Sequence, residues 1–227
     1  VCILIQTVIL LFIRHVLKKM EKMSTLEALF SPQFVTYMGI GDAGIRMDVR
    51  QSENIGEITG KLLEELGTDP DVLKYVALKT VSCPAVLSDG SQVNLIVETG
   101  NHSVFPVKYA EGKQPEKEGE IALSSLQAQD LGLHIGDMLE LIHDGESRPA
   151  VVCGIYSDIT NGGKTAKVRS LTSGGNADDQ IMWSILYVSL KDGVHTEQWM
   201  KKYTCYGVDI VDIAEYAKGT YGPTIKQ

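Results

Sequence analysis

Glu111-Gly-Lys-Gln-Pro-Glu-Lys-Glu-Gly-Glu-Ile-Ala-Leu-Ser124 leads into Ala128-Gln-Asp-Leu-Gly-Leu-His-Ile-Gly-Asp137, then Leu139-Glu-Leu141, and finally Val151-Val-Cys-Gly-Ile-Tyr156. The first stretch is a polar, proline-bearing loop up to Gly119. Glu120–Leu123 then reads as a strand and Ser124–Leu131 as a helix. Gly132 to Asp137 reads as a turn, its glycines permitting tight geometry and Asp137 able to bond its own backbone two residues on. Met138–His143 and Pro149–Tyr156 alternate in polarity as strands do, and Asp144-Gly145-Glu146 supplies the turn between them. The unit is therefore a strand, a short helix and a hairpin that packs on the helix. None of its residue types forms a catalytic pattern.

Working outward, the flanks carry the same mixture of strands and helices. Phe34–Met38 and Ile45–Arg50 read as short strands around a Gly-rich turn. Ser52 or Glu53 opens a helix to about Leu66, with Ile55, Ile58, Leu62, Leu63 and Leu66 on one face and Gly67 at its C-cap. Val72–Leu87 is apolar and β-branched, interrupted by Pro84, and Ser88-Asp89-Gly90-Ser91 turns it into Gln92–Glu98. Asn161–Lys164 and Ser173–Asp179 have loop composition. Ile181–Leu190 reads as a strand, Thr196–Tyr203 as a helix, Val208–Val211 as a last strand, and Ile213–Lys218 as a helical turn or two. The class is α+β. Two outer β-α-β pieces predict a ferredoxin-like split β-α-β lobe from residues 32–87 and 180–212, with a small β-rich lobe inserted over 88–179.

The N-terminus differs from the rest. Val1–Ile13 is apolar and carries no charge until Arg14. As a helix it would span about 20 Å, short of the roughly 30 Å of a bilayer core. Val1 in place of Met suggests a fragment, and the run reads as the outer end of a transmembrane helix, with a buried core helix as the alternative. Arg14, Lys18 and Lys19 follow the run, the reverse of a signal peptide. Val16, Met20, Met23 and Leu26 or Phe30 continue it as an amphipathic stalk that Ser31-Pro32 ends. Residues 1–31 thus form one segment, and 213–227 a return segment towards a further membrane helix.

Charge follows the same division. The 227 residues carry 21 basic and 29 acidic side chains, net −8. Residues 1–31 hold four basic and two acidic ones, net +2, which leaves 17 basic and 27 acidic, net −10, for the remainder. A surface so acidic argues against nucleic acid as a partner, because phosphate binding needs cations that displace counterions.

Motifs for chemistry fail on context. Gly39-Ile-Gly-Asp-Ala-Gly44 has dinucleotide-site spacing, but Ile45–Arg50 alternates like a strand where a helix is required. Gly162-Gly-Lys-Thr165 resembles the end of a P-loop, yet Asp158 occupies the position of its first glycine. The five histidines (His15, His102, His134, His143, His195) stand in unrelated contexts, and H-E-x-x-H and G-x-S-x-G are absent. Asn101-His-Ser103 fits a glycosylation sequon. Cys83 and Cys153 fall in predicted strands, where a thiol behaves as a small hydrophobe; whether they pair is open. No catalytic, cofactor-binding or metal-ligating residue is assigned.

The opening stretch resembles the extracytoplasmic domain of FtsX/MacB-like ABC transporter permeases. There, "G-x-x-P…G-E-I-x-L-S" precedes a short helix, an "L-G-L-x-x-G-D" turn and a strand ending "V-x-G-I". Here those positions are Gly112 to Pro115, Gly119 to Ser124, Leu131 to Asp137 and Val152 to Ile155. The resemblance implies a membrane helix before the domain and three after it, with residues 32–212 on the extracytoplasmic side of the cell membrane. It also implies a separate ABC ATPase subunit, a second permease copy as homo- or heterodimer, an outer partner protein and no enzymatic activity in this chain. The basic residues after Val1–Ile13 depart from the positive-inside pattern. An alternative of another class is a soluble double-psi-type β-barrel binding module, since "L-G-L-x-x-G-D" occurs there too.

Overall fold

The computed structural model describes residues 35–171 and 181–216. The stalk over 1–31, the loop expected at Ser173–Asp179 and the segment from 217 onward lie outside the described residues. No helix among the described residues is long and apolar enough to cross a membrane.

The fold is mixed α+β and rich in strands. Among the described residues ten strands form one sheet system: β1 (Ile45–Arg50), β2 (Val72–Leu87), β3 (Gln92–Thr99), β4 (Tyr109–Gly112), β5 (Glu120–Ser124), β6 (Met138–His143), β7 (Glu146–Tyr156), β8 (Ala166–Val168), β9 (Ile181–Leu190) and β10 (Asp209–Asp212). The helices between them are α1 (Ile55–Thr68), α2 (Ser125–Leu131) and α3 (Thr196–Lys201). One end of the sheet is ordered β10-β1-β9-β2, every neighbour antiparallel. From β2 the order continues through β3, β8, β5 and β7, and β6 pairs with both β7 and β2. Strands β2, β3, β8, β5, β7 and β6 therefore close into a six-stranded ring. β2 belongs to both parts: residues 72–81 pair with β9, and 85–87 with β6.

That exchange of partners explains a strand that Pro84 was expected to interrupt. Pro84 pairs with Asn94 on one side and stands between the β9 and β6 registers on the other. Its missing N–H removes no ladder bond there, so β2 runs unbroken for 16 residues.

The ring is filled by its own alternating side chains. Cys83, Ala85, Leu95, Val97, Val152 and Ala166 point inward and are fully buried, small residues mixing with large ones as a narrow interior requires. The same apolar core continues under α1, whose Ile55, Thr59, Leu62 and Leu66 face the sheet. Each fully buried leucine there contributes about 2 kcal/mol. Trp199 and Tyr203 close the core from the α3 side. Their indole and phenol donate to Asp69, each at 2.9 Å, and the Asp69 carboxylate also accepts the Asp71 N–H at 2.9 Å. Burial raises the Asp69 pKa, but these bonds and Lys202 outweigh it and hold the carboxyl below its usual range.

Several boundaries differ from expectation for local reasons. Thr36–Met38 is a 3-10 turn closed by left-handed Gly39 rather than part of a strand. Gly67 is helical and not a cap; α1 continues to Thr68 because Asp69, extended ahead of Pro70, is what ends it. β4 and β8 were not expected. Both are too short to carry a recognisable alternating pattern, and only their neighbours make them strands. β4 fits because Gly112 and Gly154 meet: a Cβ on Gly154 would lie 2.1 Å from the Lys113 carbonyl oxygen, and one on Gly112 2.1 Å from that of Cys153. Two positions of the opening motif are thus glycine because two backbones touch there.

Candidate functional site: a charged cleft on the sheet face away from the helices

Alternation along β1 sends Ile45, Met47 and Val49 into the core and Arg46, Asp48 and Arg50 to the opposite face. Register sets Arg46 beside Tyr187, Asp48 beside Ile185 and Arg50 beside Trp183. From the ring, Glu98 of β3 and Lys167 of β8 are direct cross-strand partners. Together with Thr80, Asp158, Thr165 and Gly39 these residues line a cleft of about 460 Å³ where the open sheet meets the ring.

The charges of the cleft are tied to one another. Arg46 Nη2 donates to Asp48 Oδ1 at 2.6 Å, and its Nε reaches both carboxylate oxygens at 2.9 and 3.0 Å. Arg50 pairs with Asp209 at 2.7 Å in solvent, where such a pair contributes little. The Lys167 ammonium donates to Glu98, and both side chains are largely buried. Lys167 also stands 5.1 Å from the centre of the Tyr156 ring. Tyr156 shares a 2.8 Å hydrogen bond with Thr165, whose hydroxyl donates to Asp158. Burial raises the Glu98 pKa, but the charge of Lys167, with His102 and Arg46, more than offsets it and holds the carboxyl below its usual range.

His102 is the titratable member of this network. Its Nε2 lies 3.0 Å from the Val168 carbonyl and 3.2 Å from that of Glu98. Two acceptors at one nitrogen assign the proton to Nε2. Its Nδ1 is 3.6 Å from Glu98 Oε1. Burial first, and then the Lys167 charge, push the imidazole pKa down to about 4, against the opposing pull of Glu98. The folded state therefore resists a proton that the unfolded chain accepts near pH 6.5. Stability should be flat above that pH and fall by roughly 3 kcal/mol as pH drops from 6.5 to 4. Urea unfolding at pH 7.5 and 4.5 checks this; His102→Gln should flatten the difference, and an unchanged slope in that variant would refute the assignment.

The residues singled out in the sequence are dispersed. Gly39 and Gly41 are closely packed: a Cβ on Gly39 would lie 2.7 Å from the Asp158 side chain, and one on Gly41 2.6 Å from Phe105 Cβ. Their role is to let the segment before β1 press against two loops of the ring. Lys164 of the P-loop-like tetrad pairs with Asp130 at 2.5 Å. His134 and Asp137 lie in an exposed turn, while His143 is buried beside Asp144. Among the described residues no three His, Cys, Asp or Glu side chains gather as a metal site. Asn101 accepts from the Ser103 hydroxyl at 2.6 Å. Cys83 and Cys153 are both free, and burial pushes each thiol up to about 11, which leaves little thiolate at neutral pH.

Glu98 and Lys167 escaped sequence reasoning. Glu98 lies in an ordinary strand and Lys167 in one too short to recognise. A lysine within Ala-Lys-Val was the available signal, and it acquires meaning only from its cross-strand neighbour.

No family profile matches the chain, and no curated protein sequence does. Comparison with solved structures finds likenesses. The periplasmic region of MacB from Actinobacillus actinomycetemcomitans superposes with a TM-score of 0.52 at 14% identity, over 83% of this chain and 95% of that one. The extracellular domain of the ABC-type transporter YknZ from Gram-positive bacteria gives 0.46 at 13% identity, over 78% and 95%.

Proposed function

We propose that this chain is the extracytoplasmic domain of an ABC transporter permease subunit, and that it passes movement driven by a partner ATPase to export or to an outer partner. The observation that carries this reading is that the start of β1 and the end of β10 are neighbours. Ile45 at the start of β1 pairs with Asp212 at the end of β10, and the Ile213 N–H donates to the Gly44 carbonyl at 3.0 Å. The first and last described strands thus begin and end side by side, as suits a domain held between two membrane helices. The MacB likeness supports the same reading through fold, and the opening motif through sequence.

In this reading β10-β1-β9-β2 with α1 and α3 is a ferredoxin-like split β-α-β lobe, the six-stranded ring is the inserted lobe, and residues 1–31 are the membrane-derived stalk. Chemistry resides in the ATPase, and two permease copies work together. Movement of the stalk would reach the ring through the Thr36 carbonyl, which accepts the Lys108 N–H at 3.0 Å, and through the Gly39 and Gly41 contacts.

Cysteines at exposed Tyr37 and Tyr216, in the full-length permease with its ATPase in membranes, test the reading. Cross-linkers of graded length should report a different span with and without a non-hydrolysable nucleotide. One span in both states would sink the transmission role. A second reading, a soluble double-psi-type β-barrel binding module, is favoured by the closed six-stranded ring. Recovery of the full-length protein in the soluble fraction after carbonate extraction would select it.

A further inference from the structure

The outer surface of the ring carries an apolar patch that its own fold leaves uncovered. Met138 and Val151 are direct partners across β6 and β7, and Ile135 lies in the turn just before β6. They are 54%, 37% and 42% exposed. A lone exposed apolar side chain is ordinary, but a cross-strand apolar pair with a third exposed apolar residue in the turn that leads into it marks an interaction surface.

The backbone beside the patch is also open. β5 pairs with one edge of β7; β6 and then β4 follow one another along the other edge. The end of β4 therefore meets the turn that carries Ile135, whose Cδ1 lies 3.0 Å from where a Gly112 Cβ would stand. β4 ends the strand order, and its outer edge pairs with no strand among the described residues. Ala110, Glu111 and Gly112 are exposed. An edge of this kind accepts a further strand, its main-chain groups giving affinity and adjacent side-chain pockets giving choice.

Charge around the patch selects the partner. Glu120 is the β5 neighbour of Val151, Glu140 is two residues from Met138 on the same face, Asp137 immediately precedes Met138, and Glu111 lies on the edge itself. Lys113 is engaged by Glu116 at 2.9 Å and Glu120 at 3.6 Å, and the exposed cations Lys108 and Lys117 are outnumbered by Glu111, Glu116, Glu118, Glu120, Asp137 and Glu140. The rim is thus acidic around an apolar centre.

We infer that the β4 edge with the Ile135–Met138–Val151 patch docks an extended, basic segment of another protein, which adds as a strand and lays apolar side chains on the patch. The inference stands on the ring surface alone and does not depend on the permease reading.

Hydrogen exchange of the full-length protein, followed in the segment containing Tyr109–Gly112, is the test. A synthetic octapeptide alternating lysine and valine should slow exchange there, and its glutamate–valine counterpart should not. Met138→Lys, at an exposed site, should weaken the effect at least about tenfold through lost apolar contact and added repulsion. Val151→Thr, which suits a strand, should weaken it as well and guards against a folding defect in the first variant. Absence of protection at millimolar cationic peptide, or equal protection by both peptides, overturns the inference. So does protection that rises with protein concentration without peptide, since a second copy would then be the occupant.

Discussion

Lys167→Met should destabilise the domain by about 3–5 kcal/mol, the cost of leaving one member of a buried ion pair alone. Glu98 is the reason. Its side chain is 14% exposed and Lys167 6%, so water cannot replace the lost ammonium, and His102 is neutral at pH 7. The carboxylate would be forced to take up a proton instead. Stability of the variant should then improve as pH falls towards 5, opposite to the His102 trend of the parent. Glu98→Gln combined with Lys167→Met should recover most of the loss, because two neutral groups need no charge compensation. Urea midpoints of both variants at pH 7.5 and 5 decide the matter. A loss below about 1 kcal/mol for the single variant would mean that the pair behaves as a surface bridge.

Gly154→Val should be comparably severe, at about 3 kcal/mol or more, through a different mechanism. A Cβ at this position would lie 2.1 Å from the Lys113 oxygen and within 3 Å of the Tyr109 ring. Both obstacles belong to β4 or the residue after it, so the added side chain must expel that strand. Gly60→Ala in α1 is the control. Nothing lies within 4 Å of a Cβ there and the backbone is helical, so alanine should stabilise by about 1 kcal/mol. Thermal melts of the two variants should move in opposite directions. A tolerated Gly154→Val would show that β4 is dispensable to the ring, and with it the close approach that explains the motif.

These contrasts show how far sequence carries. Helix α1 was legible because Ile55, Leu62 and Leu66 recur at helical spacing, a signal internal to the segment. The hairpin at Asp144-Gly145 was legible for the same reason, whereas Ser124, read as the first helical residue, instead caps α2 by accepting the Gln127 N–H at 3.2 Å. Pro84 misled because its cost depends on whether a neighbour needs its N–H, and the neighbour changes there from β9 to β6. β8, three residues long, has no signature of its own.

The cleft was invisible for a related reason. Glu98 and Lys167 are 69 residues apart, and no spacing rule connects them. Their pairing, the neutral state of His102 and the closure of the ring all follow from strand register.

Sequence alone determined the α+β class, most elements, the acidic surface and the resemblance to permease domains, because periodicity, turn chemistry and net charge are local or additive. Tertiary structure decided that six strands close into a ring sharing β2 with an open sheet. It also decided that the start of β1 and the end of β10 are neighbours and that the motif glycines mark backbone contact. Those outcomes depend on which strands meet, and strand pairing is set by burial of the whole core rather than by any single segment.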